Sequence, residues 1–183
     1  MPVRHVDLGQ TFVEGGRTQA ALHLYTDAND PFYEPPQDQL VGRSTVYLDP
    51  LSFLFGVDVS TPIVDYQRGG QDAGRLKVRV FPHLEDEPPA MFDEDDEIAE
   101  SMDDPELQGR HLNISVCVDS AMGLPKDYCS NTYVRFKFFL DEEWTTSPVM
   151  ELKTTSPEFK FVKTFRTLVS EDFARYVGSE ALD

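Results

Sequence analysis

The chain reads as a mainly β protein: antiparallel β-sandwich segments, one or two of them, with one short helix and an acidic linker. Three observations predict this. Apolar and polar residues alternate with period two in several short runs, as in Leu76, Val78 and Val80 against Lys77, Arg79 and Phe81. Glycine, proline and acidic clusters punctuate those runs at the 8- to 12-residue spacing of antiparallel sandwiches. Only one stretch, near the C-terminal end, carries a helix start, a helical apolar period and a stop in the right order.

The elements follow in order. Leu22 and Leu24 alternate with His23 and Tyr25 in a first strand. Asp30 to Leu51, DPFYEPPQDQLVGRSTVYLDPL, combines a proline-fixed turn with a strand. Pro31, Pro35 and Pro36 lock φ and lack an N–H, which excludes helix and central strand there. Gly42 then opens a strand over 44–48, rich in β-branched and aromatic residues, and Pro50 stops it. Leu51 to Phe55 is apolar on both sides and fits a short helix or a buried connection equally well. Gly69, Gly70 and Gly74 turn the chain into the Leu76–Val80 strand.

Between Glu85 and Glu106 lie twelve acidic residues with no Lys, Arg or His. Pro88, Pro89 and Pro105 interrupt the same run, and like charges at this density repel. Residues 83–110 are therefore expected to be an acidic flexible linker between a β-rich block at 1–82 and a second β block at 111–183. Met91, Phe92 and Ile98 are its candidates for local docking. In the second block Leu112, Ile114, Val116 or Cys117, and Val118 form a strand, and Gly123-Leu124-Pro125 turns. Tyr133 to Leu140 is expected as one strand, Asp141-Glu142-Glu143 as a hairpin tip, and Trp144 to Val149 as the return. A further strand begins after Ser156-Pro157, with Phe159, Phe161 and Phe165 on one face and Lys160, Thr164 and Arg166 on the other. Ser170 caps a helix with Glu171 and Asp172 in its first turn, Phe173, Tyr176 and Val177 on its apolar face, and Gly178 as its stop. A new strand begins at Ala181, so the chain is expected to be a piece of a longer polypeptide.

Composition narrows the function classes. The 183 residues are 40% hydrophobic and 27% charged, enough to bury a core. The net charge of −17 disfavours nucleic acid and anionic membranes as direct partners. No apolar run approaches the roughly 20 residues of a membrane span, and the N-terminus lacks the apolar core of a signal peptide. Cys117 and Cys129 fall in no CxxC or Cys/His cluster, which points to reduced thiols of a cytosolic protein. No catalytic set is expected: His5, His23, His83 and His111 stand in no nucleophile–base pattern, and a G-x-x-x-x-G-K-[ST] phosphate loop is absent. No metal or cofactor site is expected either. The residues expected to meet a partner are Arg135, Lys137, Lys160 and Arg166, on the outward faces of two strands, where they would dock an acidic surface.

An ordered series of short motifs resembles the tail region of kinesin-three motors, the cargo transporters with a forkhead-associated domain. It runs from Asp30 to Asp183: DPF and LVG leading into VYLDPLSFLF, then IVDY, then GRLKVRVFP, then the acidic run. After these come Leu112 to Pro125 ending in GLP, Tyr133 to Leu140, TSPV, SPEFKFVKTF and the helix from Val169 to Val177. Gly69-Gly70-Gln71 reads as a small insertion, and residues before about 28 match nothing in that series. The resemblance implies a non-catalytic tail scaffold that binds cargo or adaptor proteins and its own motor or neighbouring tail domains, in the cytoplasm on the cytoskeleton. ATP, magnesium and microtubules would belong to the parent motor domain. The second block also resembles the first half of a C-two-type sandwich, and the first block the second half of one. That implies an alternative, a calcium- and phospholipid-binding module, with Asp127 in one loop and Asp27, Asp30 and Asp38 in another. Calcium takes six to eight oxygens, and Ser130-Asn131-Thr132 supplies no carboxylate where one is needed, so the site is expected to be deficient.

Overall fold

A computed structural model describes residues 6–11, 38–84, 101–102, 104–179 and 181–182. Ten strands and one helix occur among them: β1 (Val6–Thr11), β2 (Asp38–Ser44), β3 (Val46–Tyr47), β4 (Val57–Asp65), β5 (Gln71–Leu84), β6 (His111–Met122), β7 (Thr132–Phe136), β8 (Thr145–Thr146), β9 (Glu158–Leu168), α1 (Glu171–Ser179) and β10 (Ala181–Leu182). Eight form one antiparallel sheet in the order β8-β7-β1-β2-β4-β5-β6-β9, and β10 pairs with β3 beside it. The fold is mainly β and sandwich-like. The leucine pair at 22 and 24, the prolines at 31, 35 and 36, and the docking candidates at 91, 92 and 98 lie outside the described residues.

The period-two pattern does what it predicts in the centre of the sheet. Leu76, Val78 and Val80 of β5 are buried, and directly across from them in β6 stand Ala121, Val118 and Val116, also buried. Residues in direct register share a face, so one apolar surface runs across β5 and β6 and continues through Phe161 and Phe165 of β9. The opposite face is polar but tightly filled. Arg79 holds Asp119 of β6 through two hydrogen bonds of 2.7 and 2.8 Å, and the Ser115 and Thr164 hydroxyls meet at 2.8 Å.

The acidic stretch does not separate two sheets. β5 and β6 pair from Arg75↔Met122 to Leu84↔Leu112, and β1 bridges β2 on one side and β7 on the other. Strands from both expected blocks thus interleave in one sheet. The downstream end of the stretch is built into it. The Met102 N–H donates to the Ser52 carbonyl at 2.8 Å, the Gly109 N–H to the Val169 carbonyl at 2.9 Å, and Met102 and Leu107 are buried in the core. These two apolar residues amid carboxylates gain burial that a linker reading denies them.

Three strand boundaries move. The strand expected at 44–48 is broken at Thr45: β2 runs Asp38–Ser44, the two-residue β3 at Val46–Tyr47 pairs with β10, and Gly42 sits inside β2 instead of opening a strand. A Cβ there would come within 2.7 Å of Ile63 Cγ2 and 2.9 Å of the Val64 carbonyl oxygen, so the glycine admits β4 against β2. The strand expected over 133–140 stops at Phe136, and beyond it Phe139 takes a left-handed φ of 49°. The return expected over 144–149 is the two-residue β8 at Thr145–Thr146. The Leu51–Phe55 segment is a 3-10 turn over Asp49–Phe53. Leu51 is fully buried while Phe53 and Phe55 are about half exposed, so it is apolar but one-sided. α1 starts as expected: the Ser170 hydroxyl accepts from the Phe173 N–H at 3.2 Å, and Phe173, Tyr176 and Val177 are buried, but the helix runs through Gly178 to Ser179 instead of stopping at the glycine.

Replacing Gly42 by alanine is expected to cost ~1–3 kcal/mol, because backbone of β4 must shift to admit the methyl group. Urea unfolding of the two chains measures it; an unchanged midpoint would remove the close-approach argument.

Candidate functional site

Among the described residues, a concavity lies where the two ends of the sheet face each other. β8 and β7 close one end of the strand order and β9 the other, yet Phe136 of β7 and Phe165 of β9 meet edge-to-face at 6.1 Å. The sheet therefore curls until its flanks touch. The left-handed turn at Phe139 interrupts the strand alternation, so both Phe138 and Phe139 reach the same neighbours. Phe138 stacks on Phe165 at 4.8 Å, and both rings meet Phe173 and Tyr176 of α1 at 5.1 to 6.3 Å. Such contacts favour offset and edge-on geometries and add to burial.

Above this aromatic floor an open groove of about 1040 Å³ runs between β9 and the connection from β7 to β8. Lys163 and Arg166 stand on the β9 side, Trp144 and the carboxylates Asp141, Glu142 and Glu143 on the other. Leu140, Trp144 and Leu168 are exposed at its rim. The Arg135 guanidinium sits 4.9 Å from the Trp144 ring centre and the Lys137 ammonium 5.4 Å from it, both within cation–π range. Lys137 also donates to the Glu142 carbonyl, which ties the acidic tip back to the strand.

The four residues singled out as a basic docking face come from the β7 segment and from β9, at opposite flanks of the sheet. β7 and β9 are not neighbours in the sheet. Arg135 and Lys137 share Trp144, Arg166 lines the opposite wall of the groove, and Lys160 stands outside it near the start of β9. Lys160 adopts a left-handed φ of 47° and pairs with Glu158 at 2.8 Å. The hydrogen bond between them holds the Glu158 carboxyl below its ordinary range and the Lys160 ammonium above its own. Period two says which face a residue takes within a strand, not which strands become neighbours. Trp144 was read as part of a returning strand; its flanking alternation of basic residues at 135 and 137 was the only hint that it would collect cations.

The residues weighed for calcium are scattered. Asp127 lies exposed in the 3-10 turn at Lys126–Tyr128, Asp38 opens β2, and Asp27 and Asp30 lie outside the described residues. Among the described residues no group of three or more His, Cys, Asp and Glu side chains is placed to hold a metal ion. His83 stands in register with Asn113 and His111 with Leu168, while His5 and His23 lie outside the described residues. Among the described residues no helix is long and apolar enough to cross a membrane.

Cys117 and Cys129 are both free and buried. Burial pushes the Cys117 thiol above its ordinary range, an effect that the nearby Arg79 partly offsets. No family model matches the chain, and no curated protein matches it.

A thiol-reactive reagent at pH 7.5 is expected to label Cys117 in the native chain at least about tenfold more slowly than in the unfolded chain, since both access and thiolate fraction are reduced. Equal rates in the two states would contradict the burial.

Proposed function

We propose that the chain is a non-catalytic protein-binding scaffold of the kind found in kinesin-three tails, holding cargo or adaptor proteins and folding back on its own motor. The groove between β9 and the β7–β8 connection is the single observation that carries the binding reading. It offers exposed apolar residues at its rim, Leu140, Trp144 and Leu168, over a rigid aromatic floor. Tryptophan and arginine are enriched in protein-binding hot spots, and the apolar side chains around them exclude water. The family assignment rests on the ordered motif series from DPF at residue 30 to the helix ending near Val177. In this reading ATP, magnesium and microtubules are handled by the parent motor domain, and this chain works in the cytoplasm on the cytoskeleton. A net charge of −17 supports a protein partner over nucleic acid or an anionic membrane.

The test uses a kinesin-three motor head as the probe. The chain is expected to lower the microtubule-stimulated ATPase of the head and to hydrolyse no ATP alone. Leu140→Asp, at a side chain 72% exposed, should leave the fold intact by circular dichroism and weaken the inhibition roughly tenfold, the effect of losing one hot-spot anchor. ATP turnover by the purified chain, or inhibition unaltered by the substitution, would sink the reading. Calcium-dependent co-sedimentation with phosphatidylserine vesicles would instead favour the membrane module.

A further inference from the structure

We propose that Ser156 is a phosphoacceptor for a proline-directed protein kinase, and that the fold selects it over two other sites of the same type. Kinases of this class require a Ser or Thr followed by Pro. The chain holds three such pairs: Thr61-Pro62, Ser147-Pro148 and Ser156-Pro157. Two of them lie in the same tetrapeptide, TTSP, at 145–148 and 154–157. Local sequence is thus nearly matched between Ser147 and Ser156, and the structure supplies the difference.

Thr61 lies in the middle of β4, directly across from Leu76 of β5. Its hydroxyl meets that of Ser44 and donates to the Leu76 carbonyl at 3.5 Å. Ser147 is 4% exposed. Its Oγ accepts from the Val134 N–H at 3.0 Å and donates to the Pro148 carbonyl at 3.2 Å, while its own N–H donates to the Val134 carbonyl at 2.8 Å. To present either residue to a kinase, the protein must open strand pairing at β4–β5 or along β7. Ser156 is exposed and sits outside any strand or helix, in the irregular stretch between β8 and β9. Its N–H is taken by the Thr154 hydroxyl two residues back, a local bond of 3.1 Å. The neighbouring Thr155 and Pro157 carbonyls, accepting from Leu124 and Ala121 at 2.9 Å each, hold the segment against the surface without covering the serine. Pro157 beside it is buried, so a kinase cleft engages the pair once this short stretch peels away; releasing two backbone bonds between β8 and β9 costs far less than opening a sheet.

The transfer is balanced by the kinase and its nucleoside triphosphate. The Ser156 Oγ attacks the γ-phosphorus, an Oγ–P bond forms, and the bond from that phosphorus to the β–γ bridging oxygen breaks. Nucleoside diphosphate leaves with the bond's electrons, and the hydroxyl proton passes to the kinase's catalytic aspartate. The product carries about −1.5 to −2 charges at neutral pH. Lys153 and Lys160 flank it in sequence, and it would compete with Glu158 for the Lys160 ammonium, now 2.8 Å from that carboxylate.

The folded chain is incubated with a cyclin-dependent kinase, magnesium and ATP, and phosphate is mapped by mass spectrometry. One phosphate is expected, on Ser156, entering at least about tenfold faster than on Ser147. Ser156→Ala should abolish the fast phase. Synthetic peptides spanning 141–151 and 150–160 should accept phosphate at similar rates, showing that the fold makes the selection. The proposal is overturned if Ser147 or Thr61 is modified as fast as Ser156 in the folded chain. It is overturned equally if Ser156 stays unmodified there, whether or not the 150–160 peptide reacts.

Discussion

The contact between the two flanks of the sheet is what the remaining architecture depends on. Phe136, Phe138 and Phe139 come from the segment around the end of β7, Phe165 from β9, and Phe173 and Tyr176 from α1. Each aromatic ring buried removes on the order of 150–250 Å² from water, so this group is a large share of the driving force for curling. The cost is a bulky residue in the left-handed region at Phe139, about 1–3 kcal/mol for such a conformation. Strand geometry alone would send Phe138 and Phe139 to opposite faces. Breaking the strand lets both serve the same cluster, and the burial gained exceeds the local strain.

That exchange also explains what could be read from the sequence. Leu76, Val78 and Val80 were legible because β5 is regular and its burial follows from its own alternation. The Ser170 cap and the apolar face of α1 were legible for the same reason, since they are determined within a dozen residues. The end of β7 was not: YVRFKFFL alternates well enough to be a strand to Leu140, and only the tertiary demand of the aromatic cluster ends it at Phe136. Gly42 reads as a strand opener in the sequence because its role comes from Ile63 and Val64, 21 and 22 residues away.

The groove was less legible than the fold. Arg135, Lys137 and Arg166 do border or approach it, but Lys160 does not, and the apolar rim residues Leu140 and Leu168 carry no local signal. A site formed between strands at opposite ends of a sheet depends on curl, which no single strand encodes. The motif series is a different kind of information. Gly42 of LVG, Leu51 of YLDPL and the GLP turn turn out to be a close-approach glycine, a fully buried side chain and a bend before the 3-10 turn at Lys126–Tyr128. These are positions that packing constrains tightly.

The manner in which the acidic stretch is inserted has a consequence for how this protein tolerates change in length. It joins β5 to β6 at a point where Leu84 and Leu112 already stand in register, and its downstream end is fastened by Met102 to Ser52 and by Gly109 to Val169. The loss of a single residue between Met102 and Arg110 would therefore pull two buried side chains, Met102 and Leu107, out of place and shift the backbone that Ser52 and Val169 hold.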